Sequence, residues 1–285
     1  MSGPSTSAVI RVWVAIAIPA GIACGLLACA SRGGAPPTPT GSATATGSAT
    51  ATVNPPKSWR LAFSSSFSGS RLNSATWATC YPWAPKGCTN FGNDDEEKEW
   101  YLASQARVEN GVLNLIAQRE PTSGLAQDGK PLEYDCRSGM VTTYPGFRFE
   151  YGFVQVTARI PFATSLWPAF WLAAANKVWP PEIDLLEHWD SQSYGSVYLH
   201  PTSGIRQGGR VATPDLAKGW HTFALSWTKS RLTWYYDGQQ VLTTTTGIPR
   251  QAMYFIADLA VYSATPGHCS GSLLVKSVDV WQPTS

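Results

Sequence analysis

Charge is scarce in this sequence. Asp, Glu, Lys and Arg make up 14% of its 285 residues, against roughly 25% in typical soluble domains. The formal net charge is only +2. So small a charge excludes disorder driven by like-charge repulsion and supplies no basic stripe for nucleic acid. Metal motifs are missing too. The six Cys and four His contain no Cys-x-x-Cys and no His-Glu-x-x-His spacing, so neither a zinc knuckle nor a zinc-protease helix is legible. No long segment has apolar residues at a period of 3.6, which excludes a helical bundle. What the sequence has instead is aromatic surface: 13 Trp, 11 Tyr and 10 Phe. Most such rings fill cores, but a few can stack on the flat apolar faces of sugars.

The first residues form a separate region. Arg11 precedes an uncharged apolar stretch, Val12 to Ala28, broken by Pro19, Gly21 and Gly25. This is the pattern of an export signal, and it is short for a spanning helix. It ends in Leu26-Leu-Ala-Cys29, which resembles a bacterial lipobox, where the Cys becomes a lipidated first residue. An ordinary signal peptide is the alternative, and both readings export the protein. Residues 1–29 are therefore assigned to the signal. Residues 30–57 are read as a disordered linker rich in Gly, Ala, Ser, Thr and Pro, in which Gly41-Ser-Ala-Thr-Ala-Thr46 repeats as Gly47-Ser-Ala-Thr-Ala-Thr52. Such a segment buries too little apolar surface to offset its chain entropy.

Residues 58–285 read as one all-β domain. Alternating runs such as Val112–Ala117, Phe153–Ile160, Thr222–Trp227 and Leu232–Tyr236 are separated by the turn signals Asn110-Gly111 and Asp237-Gly238. Many short strands of this kind predict a sandwich of two antiparallel sheets, with a hairpin at Asp237-Gly238. Four Cys follow the signal: Cys80, Cys88, Cys136 and Cys269. An even count in an exported chain predicts disulfides. All three pairings stay open; the short loop favours Cys80 with Cys88, leaving Cys136 with Cys269.

The chemistry concentrates in Glu182-Ile-Asp-Leu-Leu-Glu187. Three acids fall in six residues, separated by apolar side chains, in a neighbourhood otherwise poor in charge. On a strand Glu182 and Asp184 share a face, and Ile183 and Leu185 point to the core. Strict alternation would then bury Glu187. A one-residue bulge at Leu185-Leu186 returns it to the acid face, and we expect that bulge. The α-carbons of Glu182 and Glu187 would lie on the order of 13–16 Å apart. Side chains leaning together can approach the roughly 5–5.5 Å that a retaining glycosidase needs between its carboxyls. Like charges held this close cannot all ionise, so one Glu is expected to keep its proton as the acid. A strand with an acidic outer face is the bland alternative. The aromatic run Leu166–Leu172 and the rigid Trp179-Pro-Pro181 entry weigh against it.

These residues together resemble glycoside hydrolase family 16 in its bulged, laminarinase-like form. Beside the acid motif, the resemblance rests on Tyr151–Pro161, Leu166-Trp-Pro-Ala-Phe-Trp-Leu172, Trp220–Trp227 and Trp234-Tyr-Tyr-Asp-Gly238. With the N-terminal features, the chain resembles an exported lipoprotein of actinobacterial type. The resemblance implies a β-jelly-roll with a concave glycan-binding cleft. It implies endo-acting, retaining hydrolysis of a β-glucan, with β-1,3-glucan expected. Glu182 would be the nucleophile, Asp184 the assisting residue and Glu187 the acid/base. Trp167, Trp171 and Trp179 fall where relatives place cleft aromatics. His200, on the next strand, would reach the sugar or the acids. Asn93 falls at the cleft rim, in a run (Gly92 to Tyr101) longer and more acidic than the family pattern. That run reads either as a solvated loop or as an altered rim. Asp258 replaces the usual Asn.

No cofactor is expected. A structural calcium lacks a carboxylate at Ser66, although Asp279 is present. The expected partner is a polysaccharide, with no nucleic acid, with membrane contact only through the N-terminal lipid, and with a monomeric chain. Two other readings remain open: a transglycosylase using the same acids, and a glycan-binding protein on the same fold. Relatives of the latter kind lose catalytic acids, and here all three are present.

Overall fold

A computed structural model describes residues 53–84, 97–125, 129–161, 165–188, 194–202, 204, 206–213, 216, 218–262 and 269–284. The signal, the lipobox, most of the linker, Cys88 and Asn93 lie outside those residues. The strands are β1 (Trp59–Ser65), β2 (Glu99–Tyr101), β3 (Ala106–Glu109), β4 (Val112–Ala117), β5 (Thr122–Leu125), β6 (Pro131–Tyr134), β7 (Cys136–Ser138), β8 (Met140–Thr142) and β9 (Gly152–Arg159) in the first half. The second half contributes β10 (Leu166–Ala174), β11 (Glu182–Glu187), β12 (Tyr194–His200), β13 (Gln207–Ala212), β14 (His221–Trp227), β15 (Leu232–Tyr236), β16 (Gln239–Thr244), β17 (Met253–Val261) and β18 (Gly271–Pro283). Among the described residues the only helical element is the 3-10 turn Ala103–Gln105.

Two large sheets face each other. One has eight strands, in the order β16-β15-β14-β9-β18-β4-β3 with β1 added on β18; the other has six, in the order β13-β12-β11-β10-β17-β8. All pairings in both are antiparallel. The predicted sandwich is therefore present, and its turns use the expected chemistry. Asn110 and Gly111, and again Asp237 and Gly238, have positive φ at both turn positions, the backbone that a tight hairpin between right-twisted strands requires.

Alternation along the strands fills the space between the sheets. Val154, Val156, Phe223, Leu225 and Trp234 from one sheet meet Phe170, Leu172, Ile183, Leu199 and Phe255 from the other in a single buried cluster. A second cluster lies on the opposite face of the six-stranded sheet, where Ala169, Trp171, Ala173, Tyr254 and Ile256 pack against Tyr81, Trp100, Tyr101 and Tyr134. Aromatic mass thus covers one part of that outer face. Cys136 and Cys269 form a disulfide, with α-carbons 6.1 Å apart across 133 residues of sequence. Asp279 accepts a hydrogen bond from the Ser64 hydroxyl at 2.6 Å.

Candidate active site

The acid motif occupies β11 from end to end, and the strand is irregular where alternation required it. Against β10, Phe170 pairs with Leu186 but Trp171 pairs with Asp184, so Leu185 has no partner of its own. Against β12, the register shifts between Asp184 and Glu187. This is the expected bulge. It sends Ile183, Leu185 and Leu186 together into the inter-sheet core. Directly opposed residues in an antiparallel pair point to the same face. Glu182 opposes Ala173, Asp184 opposes Trp171 and Glu187 opposes Ala169, and all three of those β10 residues lie in the outer cluster. The three carboxylates therefore share the outer face.

The core helps hold the bulge. Trp234, on β15 of the other sheet, donates from its indole Nε1 to the Asp184 carbonyl oxygen at 2.8 Å. A carbonyl turned inward beside a bulge would otherwise be buried without a partner, at a cost of about 1–3 kcal/mol.

Side chains from three directions converge on the acids. Trp179 donates from Nε1 to Glu182 Oε2 at 2.9 Å. His200, paired in register with Glu182, has Nε2 3.7 Å from Glu182 Oε1 and 3.6 Å from Asp184 Oδ2. These three residues are also placed to surround a cation. The Trp179 and His200 rings lie 5.7 Å apart, and both residues are only partly buried. His200 thus reaches the acids, and Trp179 offers both a bond to Glu182 and a partly open ring. Two consecutive cis peptide bonds, Trp179–Pro180 and Pro180–Pro181, lead into β11.

Trp171, which the resemblance puts among the cleft aromatics, is almost wholly covered. Only 1% of it is exposed, and its Nε1 donates to Asp258 Oδ1 at 2.6 Å. The Tyr101 hydroxyl donates to Asp258 Oδ2 at 3.3 Å. Two donors aimed at two oxygens suit a carboxylate, which accounts for Asp at that position. Trp167 is also buried, its ring edge-on to that of the exposed Tyr262 at 6.3 Å.

Glu97 and Glu99, read from sequence as part of either a solvated loop or an altered rim, are both buried. The solvated-loop alternative fails for these two: β2 pairs with β7 and carries Glu99 inward, and Glu97 is buried just ahead of that strand. Glu99 Oε2 accepts the Val261 backbone N–H at 2.7 Å. Burial first, and then the neighbouring Glu97 charge, pushes the Glu99 carboxyl well above its ordinary value. Burial, followed by Glu99, likewise raises the Tyr101 hydroxyl, which keeps it a donor.

Two contributors went unread. Tyr198 opposes Asp184 and carries the Arg206 guanidinium 4.0 Å above its ring. The alternation of Val197-Tyr-Leu-His200 could have revealed Tyr198, since it shares a face with His200. No local signal tied Trp234 to Asp184, 50 residues away.

A two-sheet sandwich whose outer face gathers three carboxylates on one bulged strand, bordered by aromatic rings, defines a glycoside hydrolase of the jelly-roll class. The family model described as "Glycosyl hydrolases family 16" matches residues 95–265, and the chain belongs to that family. Among curated proteins it is 32% identical over 216 residues to an endo-1,3-1,4-beta-glycanase, EglC, of Rhizobium meliloti, covering 70% of this chain and 45% of that protein. A second endo-1,3-1,4-beta-glycanase of the same organism, ExsH, is 33% identical over 219 residues, again covering 70% and 45%. The chain thus spans about 45% of the length of these two relatives. Among solved structures, the catalytic domain of an endo-1,3-beta-glucanase (laminarinase) from Thermotoga petrophila superimposes with a TM-score of 0.68 at 25% identity, covering 80% of this chain and 99% of that one.

Proposed function

We propose that this chain hydrolyses β-glucan internally by double displacement, with β-1,3-glucan as its principal substrate. The observation that carries the proposal is the bulge, which returns Glu187 to the face of Glu182 and Asp184. Family membership and the activities of the two glycanases and the laminarinase support the choice of glycan.

In this reading Glu182 attacks the anomeric carbon while Glu187 protonates the departing glycosidic oxygen. A glycosyl ester on Glu182 results. Glu187, now a carboxylate, takes a proton from water, which attacks the same carbon and releases Glu182. Trp179 and His200 orient the nucleophile: one oxygen of Glu182 accepts the indole N–H, and the other faces the imidazole. Asp184, between the two Glu, holds negative charge against the oxocarbenium-like carbon. Trp167, Trp179 and Asn93 are proposed as glycan contacts.

The same proposal places the domain outside the cytoplasm, released or held at a membrane by a lipid on Cys29. The Cys136–Cys269 disulfide supports an oxidising compartment. Incubation with laminarin tests the activity. Shortened oligosaccharides are expected from the wild type and not from Glu182→Gln. No cleavage of any β-glucan would reject it, and early products longer than a defined oligosaccharide substrate would make the enzyme a transglycosylase.

A further inference from the structure

A row of in-register residues crosses the six-stranded sheet through Glu182. Tyr254 on β17 opposes Ala173 on β10, Ala173 opposes Glu182, and Glu182 opposes His200 on β12. Directly opposed residues share a face, so Tyr254 stands on the acid face, and it belongs to the outer cluster there. Its α-carbon lies two strand spacings from that of Glu182, about 9–10 Å. Ala173 between them carries only a methyl group, so no larger side chain of that row separates the phenol from the carboxylate.

Tyr254 is fully buried, yet its hydroxyl has no hydrogen-bond partner among the described residues. A donor that loses water without gaining a partner costs stability, and native proteins leave few buried polar groups so. Nothing around it uses the hydroxyl in the free protein. The Tyr144 ring meets that of Tyr254 edge-on, with centroids 5.0 Å apart, a contact that Phe would make as well. Glu182 has other neighbours: Oε2 accepts the Trp179 indole N–H and Oε1 faces His200. Burial first, and then Tyr144 and Glu182, holds the Tyr254 phenol well above its ordinary value, so it stays protonated and able to donate.

A sugar whose anomeric carbon sits against Glu182 brings its own hydroxyl groups to this row, and a sugar hydroxyl accepts from a phenol. A site built to bond a substrate hydroxyl discriminates strongly against an analogue that lacks it. We propose that the Tyr254 hydroxyl donates to a hydroxyl of the sugar seated on Glu182, making Tyr254 a specificity-determining contact that favours a sugar with that hydroxyl free. The inference deepens the proposed glucanase function and rests on its placing of the sugar.

Tyr254→Phe removes only the hydroxyl. Because that group makes no bond in the free protein, the variant should melt at or above the wild-type temperature. Its affinity for a β-1,3-gluco-oligosaccharide is measured by calorimetry in a Glu187→Gln background, which suppresses turnover. Affinity should fall by about tenfold, the scale of one lost hydrogen bond that leaves a sugar hydroxyl unpaired. Tyr134→Phe is the crossed control. Its hydroxyl donates to the Leu125 carbonyl oxygen at 3.0 Å in the same outer cluster, so that variant should melt lower and bind the glycan as before. Oligosaccharides deoxygenated throughout at O2, O4 or O6 identify the partner, since one of them should bind equally with and without the Tyr254 hydroxyl. Unchanged affinity in Tyr254→Phe overturns the inference. So does a melting temperature that falls together with affinity, because the hydroxyl would then be structural, and so does a loss that persists undiminished with all three deoxygenated ligands. Wild-type turnover of laminarin is measured in parallel. Its absence rejects the glucanase reading, while calorimetry on wild type and Tyr254→Phe still decides the contact.

Discussion

Glu182, Asp184 and Glu187 are each at most 1% exposed, so their charges depend on neighbours more than on water. Replacing Glu187 with Gln keeps its shape and removes its proton chemistry. Activity on laminarin should fall by about 10²–10⁴-fold, the usual share of a general acid. Steady-state kinetics checks this, with circular dichroism confirming the fold. Glu99 offers a different test. Its folded-state pKa is raised above its ordinary 4.5, so between 4.5 and that raised value the unfolded chain gives up a proton that the folded one keeps. Glu99 therefore erodes stability as pH rises through that window. Glu99→Gln can still accept the Val261 N–H and lacks the titration. Its melting temperature relative to wild type should climb from acid to neutral pH, and a constant difference would contradict the burial argument. All three acids of β11 were legible in sequence because they interrupt apolar residues. The bond from Trp171 to Asp258 was not, because nothing in its own segment announces Asp258, 87 residues away.

At the level of the strand, the bulge decides whether Glu187 is a catalyst or a buried charge. Parity made it legible: three acids at positions 182, 184 and 187 cannot share a face of a regular strand. What holds the bulge was illegible, because the Trp234 bond to the Asp184 carbonyl crosses from the other sheet. Trp234→Phe keeps most of the ring and loses the donor. It should cost about 1–3 kcal/mol of stability for the orphaned carbonyl and lower kcat more than it changes KM, since the acids lose alignment without losing glycan contacts. Denaturant melts and kinetics on one preparation measure both. The turn dipeptides Asn110-Gly111 and Asp237-Gly238 were readable for a local reason, their positive φ. The order of strands in the sheets was not, because neighbours such as β9 and β18 lie far apart in the chain.

Across the whole molecule, two sheets and one long-range disulfide hold the face that carries the acids. The Cys136–Cys269 bridge closes 133 residues, and in the chain-entropy account such a loop is worth on the order of 4–5 kcal/mol. Reduction should lower the melting temperature by on the order of 10 °C, read by calorimetry with and without reductant. The all-β architecture was legible because alternation and turn residues recur along the domain, and the family because several motifs coincide. The central claim is that Glu182 and Glu187 act in turn on one anomeric carbon. Proton NMR of the first products released from laminarin tests it most directly, before mutarotation mixes the anomers. Two displacements predict new reducing ends in the β configuration; α products would mean a single displacement by water and would contradict the assignment of Glu182 as nucleophile.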